Sequence, residues 1–557
     1  MYRLDLRNFK GLAPKRHSRL LDATYADAVT DAKLWDGTLR NFPCPTVHCA
    51  TGATVQTITP LPDCECLTWP ERVHLVRDCG LAFWTGDGVP QMATESGLCA
   101  GESCQWCIPC PAKAPDLAYA PCSTDKAIYV AYAYTRLVQV GSRVFESALS
   151  PPTSMIPVCE GEPVTVSGLS NPHGCAAGYR IYRAESGIKT GALDTPANNA
   201  WMRVGESSAS PFRDEFRDCE PATPLLHEHG CPPDDLHHLH ITESGVMVGL
   251  SGNELWYTLP GDPMTWSRNR RRMIRAEWGK PLALSVHKDD LYVLTDHLPV
   301  HYRLGLSDAG PQLQRNLIPK HLPMASLTSV SSGYQGVVYA SDSGLVLLSG
   351  GQAQVISSPW FNRDQWRRLD PASIVGAVHD EAYVMASSVD AFLFEFGDGV
   401  FADNGNTNLI GLELGGRIVG ADAMYSGDAL YWAKDGVVYR WDWEAMPVGN
   451  HKDPEVQPEA AGECCPFFYR PAIEDKNGSA TYTAAEVHMR PGSEVTFRYY
   501  DGDCREPVLV DEEVRTDCEP FRLTDCRRTE DSRIEITGCG MVDSVTLGTS
   551  LQALRLR

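Results

Sequence analysis

Short apolar runs, each ended by Gly, Asp, Ser or Asn, recur along the middle of the chain. Five segments share one design, with a β-rich run, a tight turn and a second β-rich run. They are 245–250 with 255–257, 291–294 with 301–302, 337–340 with 345–348, 382–385 with 392–394, and 429–432 with 437–439. Their starts fall roughly 45 residues apart, the length of a four-stranded propeller blade. The turns Ser251-Gly252-Asn253, Asp342-Ser343-Gly344 and Lys434-Asp435-Gly436 suit hairpins, because Gly and Asn tolerate positive φ. A sixth copy lies far upstream, with Leu81-Ala82-Phe83-Trp84, a turn at 85–88, and Val89-Pro90-Gln91-Met92.

The gap between the sixth copy and the other five predicts an insertion. Ile128–Thr135 is strongly strand-like, and Val164-Thr165-Val166 and Tyr179–Arg183 follow across Gly/Pro/Ser-rich turns. The order of these features resembles a fibronectin type III-like module. A loop with Gly449, Pro454, Pro458 and Gly462 precedes further strands at 484–489, 494–500, 533–536 and 542–547. The expected fold is all-β: a β-propeller with an inserted fibronectin-like β-sandwich and a C-terminal β domain. The expected divisions are an N-terminal arm (1–50), a first propeller segment with a Cys-rich loop (51–114), the inserted sandwich (115–230), the blades (231–447) and the C-terminal β domain (448–557).

A length of 557 residues predicts two to four domains. The formal charge of −22 excludes adhesion to a phosphate backbone through general electrostatics. The same charge suits a passage along which DNA slides without sticking. Met1–Arg7 shows no apolar signal segment, and no apolar run reaches the roughly 18 residues of a membrane span. Synthesis and assembly in a cytoplasm are therefore expected, where stable disulfides are not the default. Of the 20 cysteines, ten lie between Cys44 and Cys122 and six between Cys464 and Cys539.

Cys99, Cys104, Cys107 and Cys110 form the sharpest local pattern, two CxxC units sharing Cys107. Thiolates at this spacing can hold zinc or an iron–sulfur cluster. The alternative is a cysteine-rich loop with free thiols or local disulfides. His227, His229, Cys231, His237, His238 and His240 crowd together without matching a standard ligand set. The basic run Arg268–Arg275 suits a partner contact, a DNA-facing patch or a solvated loop; if it meets an acidic neighbour, another copy of this chain is the readiest source. Sialidase-type Asp boxes are absent; the nearest match is Ala340-Ser341-Asp342-Ser343-Gly344. No nucleophile elbow, Walker loop, dinucleotide fingerprint or H-E-x-x-H is present.

Asn8-Phe9-Lys10-Gly11-Leu12-Ala13-Pro14, followed by Gly37-Thr38-Leu39-Arg40-Asn41-Phe42-Pro43, resembles the N-terminal arm of tail nozzle (tail tubular) proteins of short-tailed bacteriophages. Trp84–Pro90, Phe145–Ala148, Ser150-Pro151-Pro152, Arg180–Arg183, Pro359-Trp360-Phe361 and Arg363–Trp366 are similar to related prophage proteins. The resemblance implies a structural virion component, most directly the nozzle ring around the DNA exit channel, with no enzymatic activity and no cofactor. It implies copies of the chain in a ring, a hexamer being favoured, docked to a tail adaptor and to fibre or spike proteins. Genomic DNA would pass through without sequence-specific binding, and the distal end would meet the host envelope. The rivals are a receptor- or carbohydrate-binding tail propeller, such as a fibre or spike part, and a propeller glycosidase with carboxylates about 5–9 Å apart.

Overall fold

A computed structural model describes residues 3–555 apart from internal stretches, the longest at 187–200, 222–229, 397–407, 414–420, 444–463, 473–481 and 525–531. His227, His229 and the loop from Gly449 to Gly462 fall outside the described residues.

Five of the six hairpins read from the pattern form the middle pair of an antiparallel four-stranded sheet. The remaining one, 382–385 with 392–394, sits likewise among four antiparallel strands at the end of a ten-stranded sheet. Blade one is His74–Asp78, Leu81–Thr85, Gln91–Thr94 and Cys104–Gln105. Blade two is His237–Ile241, Met247–Ser251, Glu254–Tyr257 and Arg271–Met273. Blade three is Pro281–His287, Asp290–Thr295, Val300–Ser307 and Gly310–Leu317. Blade four is Ser331–Gly333, Gly336–Ser341, Gly344–Ser349 and Gln352–Val355. Blade five is Val375–His379, Ala382–Ala386, Ala391–Glu395 and Leu409–Gly411. Blade six takes three strands from Ala423–Ser426, Leu430–Lys434 and Val437–Trp441; its fourth, Thr46–Ala50, comes from the other end of the chain.

The first strands of successive blades lie side by side, from blade one through blade six to Thr57–Leu61 of a two-stranded hairpin. Such an order is that of a propeller, with first strands innermost. Apolar layers fill the space between blades: Val248, Leu250 and Leu255 of blade two meet Leu291, Val293 and Tyr302 of blade three. The middle strands of blade four are buried on both faces, so they read as continuous apolar runs and not as alternation. At the blade-six turn both Asp435 and Gly436 have positive φ, +53° and +75°, the geometry whose twist suits a two-residue hairpin.

The N-terminal residues, read from the sequence as an arm, pair with the far end of the chain. Arg3–Leu6 and Leu39–Asn41 pair with Met541–Gly548. Tyr25–Thr30 pairs with Phe467–Pro471 and touches the outer strand of blade five at Gly411. These segments complete a two-sheet C-terminal sandwich and bind it to the propeller. Leu6, Phe9, Val29, Leu39, Trp441, Phe467, Val495 and Val545 share one core. At this seam the backbones come very close. A Cβ on Gly11 would lie 2.4 Å from the Leu409 carbonyl oxygen, so only glycine fits.

The insertion is a sandwich in which Ala127–Val140 pairs with Ala176–Ser186, Arg143–Glu146 and Ile156–Cys159. A three-stranded sheet of Asp116–Ala118, Val164–Ser167 and Phe212–Asp214 faces it. Their core buries Arg183 against Asp214 at 2.5 Å, and the Tyr132 hydroxyl donates to the same carboxylate at 2.8 Å.

Candidate functional site

The cysteines that suggested a metal do not converge. Cys104 is joined to Cys175, Cys107 to Cys231, and Cys99 is also disulfide-bonded. Cys110 is a free thiol donating to the Leu149 carbonyl. Of the two readings of Cys99, Cys104, Cys107 and Cys110, a shared metal centre and a loop of thiols and disulfides, the bonded sulfurs correspond to the second. Their spacing is local, but their partners come from the insertion and from the lead-in to blade two. Cys44–Cys465, Cys464–Cys539 and Cys122–Cys159 are further disulfides, the first joining positions 421 residues apart. Among the described residues the one grouping with metal-ligand proximity is Cys104, His173 and Cys175. There the two sulfurs are bonded to each other, and His173 bonds the Gln105 carbonyl through Nε2 and accepts the Cys175 N–H at Nδ1. This set holds a loop and is not arranged as a cation site.

Of the predicted histidine cluster, His237, His238 and His240 lie on the first strand of blade two beside His74 of blade one. His74 on the first strand of blade one lies 4.4 Å from His238 on the first strand of blade two, the rings tilted at 51°, and His240 lies 6.5 Å from His74. His238 takes a left-handed φ of +52° and interrupts the pairing between His237 and His240. Burial pushes the pKa of His74 down to about 3, and that of His238 well below the usual imidazole range. Both are neutral at physiological pH. Arg72 stands beside them at the start of blade one and further disfavours their protonation.

A cavity of about 290 Å³ opens next to this layer. Gln56, Arg72, Ser331, Ser332, Tyr425 and Ser426 supply its polar lining. Gly376, Ala377 and Ala423 keep it open by lacking bulk. Among the described residues of the first strands and the Thr57–Leu61 strand, Asp78 is the one carboxylate, and it faces Arg143 of the insertion at 3.5 Å. No motif in the sequence marks Arg72, Gln56 or Tyr425. The available signal is position, a charged or amide side chain where the chain enters an innermost strand.

The basic run forms the outer edge of blade two. Arg271, Arg272 and Met273 are exposed on its last strand. Arg271 pairs with Glu254 at 2.7 Å, and Arg275 and Arg315 both lie over Trp278. The Arg268 side chain has no hydrogen-bond or ion-pair partner among the described residues. A second exposed edge has the opposite sign. Val508–Arg515 ends the C-terminal sheet with Val508, Leu509 and Val514 exposed around Asp511-Glu512-Glu513.

No family model matches the chain, and no curated protein matches it. Among solved structures it is similar to a glycoside hydrolase at 11% identity, over 90% of this chain and 100% of that one, with a TM-score of 0.14. An exo-β-1,3-galactanase from Phanerochaete chrysosporium matches at 10% identity, over 86% and 95% of the two chains, with a TM-score of 0.15. An arabinoxylan arabinofuranohydrolase of glycoside hydrolase family 43 from Bacillus subtilis matches at 10% identity, over 69% and 89%, with a TM-score of 0.18. All three carry names of glycan-acting proteins, so the expectation that the chain lacks enzymatic activity is withdrawn. Superpositions this loose carry no argument about chemistry here, and the firm statement is that the chain is an all-β propeller protein.

Proposed function

We propose that the chain is a structural subunit of a bacteriophage tail, assembled as the nozzle ring around the DNA exit channel. The observation that supports this most is where the phage-like segments meet. Gln365 donates from its side chain to the Pro14 carbonyl at 2.6 Å, and Lys15 donates to Ser358 at 2.8 Å. The N-terminal segment and the Pro359–Trp366 segment, both similar to tail proteins, thus form one seam. That seam fixes the propeller to the C-terminal sandwich, as a load-carrying ring element needs.

The two edges of opposite sign supply a head-to-tail contact between copies, the kind of contact that makes rings. The bore is the space between copies, because the cavity beside the propeller axis, about 290 Å³, is far too small for a DNA duplex. The net charge of −22 keeps DNA from adhering along it. Tail adaptor, fibre or spike proteins and the host envelope would meet the outer faces, and the mature protein would reside in the virion.

Native mass measurement of the full chain, with cryo-electron microscopy of virions, tests the reading. A ring on the tail axis is expected. A chain that stays monomeric and lies off the tail axis would sink it.

A further inference from the structure

We propose that the axial cavity binds a small hydroxylated carboxylate, of the size of a single sugar acid, with Arg72 gripping the carboxylate. Arg72 lines the cavity and is half-buried, yet it has no hydrogen-bond or ion-pair partner among the described residues. The chain has 71 acidic residues to 49 basic ones, so carboxylates are plentiful. Arg143, Arg180, Arg183, Arg271 and Arg470 each have one. A guanidinium withdrawn from water without a counter-charge is costly, and burial alone lowers its proton affinity. The titratable groups that interact with it, His74 and His238, offer no negative charge. Among the described residues no counter-charge is present, and an anion entering the cavity can supply it.

The remaining lining defines what the anion carries. The Gln56 amide and the Tyr425 hydroxyl also lack hydrogen-bond partners among the described residues. Ser331 accepts the Val378 N–H and keeps its own proton to donate. Neutral groups of this kind suit hydroxyls on a monoanion better than the extra charge of a phosphate. The planar guanidinium matches a carboxylate through two parallel bonds. A volume of about 290 Å³ lies at the small end of ligand sites and accommodates one ring. Gln56 is exposed and gives access from solvent.

Isothermal titration of the full chain tests the proposal, with D-glucuronate, D-glucose and inorganic phosphate as probes. Glucuronate is expected to bind and glucose not. Arg72→Gln is expected to weaken glucuronate at least about tenfold. The same variant should keep or raise the wild-type melting temperature, because it removes a half-buried charge that has no partner among the described residues. Gln56→Ala, at an exposed position, gives an independent loss of affinity should Arg72→Gln fold poorly. Absence of glucuronate binding, equal binding by Arg72→Gln, or tighter binding of phosphate than of glucuronate would each overturn it. None of these outcomes depends on ring assembly.

Discussion

Replacing Glu395 by glutamine probes the seam between the N-terminal strands and blade five. The Glu395 carboxylate accepts the Asn408 side-chain N–H at 2.6 Å, and Asn408 in turn accepts the Gly11 N–H at 3.0 Å. Burial pushes the Glu395 pKa from its ordinary 4.5 up to about 7; Asn408 opposes the rise, Glu381 and Asp36 add to it, and Lys33 opposes it. Below pH 4.5 the group is protonated whether folded or not, and it contributes no pH dependence. Between 4.5 and 7 the unfolded chain ionises it while the folded chain does not, so stability falls through that window. Above 7 the cost is constant, at about 3 kcal/mol. Asp31, which accepts the Glu413 N–H on the same seam, is raised to about 6 and acts with the same sign. Several domains make a single unfolding free energy ill-defined, so a local measurement is needed. Hydrogen exchange of residues 10–12 and 409–411, corrected for intrinsic rates, reads opening of this seam. Glu395→Gln is expected to slow that opening by about 100-fold at pH 8 and to leave it unchanged at pH 4. Equal or faster opening in the variant at pH 8 would refute the argument.

Two further substitutions test other parts of the scaffold. Asp214→Asn leaves the buried Arg183 short of its main counter-charge and should cost the inserted sandwich about 3–5 kcal/mol. The double change Arg183→Met with Asp214→Leu should recover most of this in thermal unfolding, and failure to recover would count against a charge effect. Cys44→Ser removes the covalent tie to Cys465 and should cost about 2–5 kcal/mol. Limited proteolysis should then cut residues 3–43 sooner than in wild type, and unchanged cleavage would show that strand pairing alone holds them.

The six hairpins were legible because both of their strands and the turn are local. Val337–Ala340 and Leu345–Leu348 carry their own apolar signal, and Asp435-Gly436 carries its own turn chemistry. The outer strand of blade six was not legible. Thr46–Ala50 is largely exposed along its length and pairs with residues near 437–440, so neither its composition nor its neighbours reveal it. The short strands at 3–6, 25–30 and 39–41 escaped for the same reason, having partners at the far end of the chain. The cysteine partners were not legible because spacing between CxxC units is a local quantity. Cys104 and Cys107 instead find partners 71 and 124 residues away. Arg72 attracts notice only once the blades place it over a cavity.

The use of early strands to finish late sheets also sets the timetable of biogenesis. Arg3–Leu6 leaves the ribosome long before Val545–Gly548, with which it pairs, and Thr46–Ala50 waits for Val437–Arg440. Blades two to four can form as they emerge, but the two ends must remain unpaired until translation is nearly complete. A prematurely terminated chain thus exposes bare strand edges, which quality control can detect before a defective subunit enters an assembly.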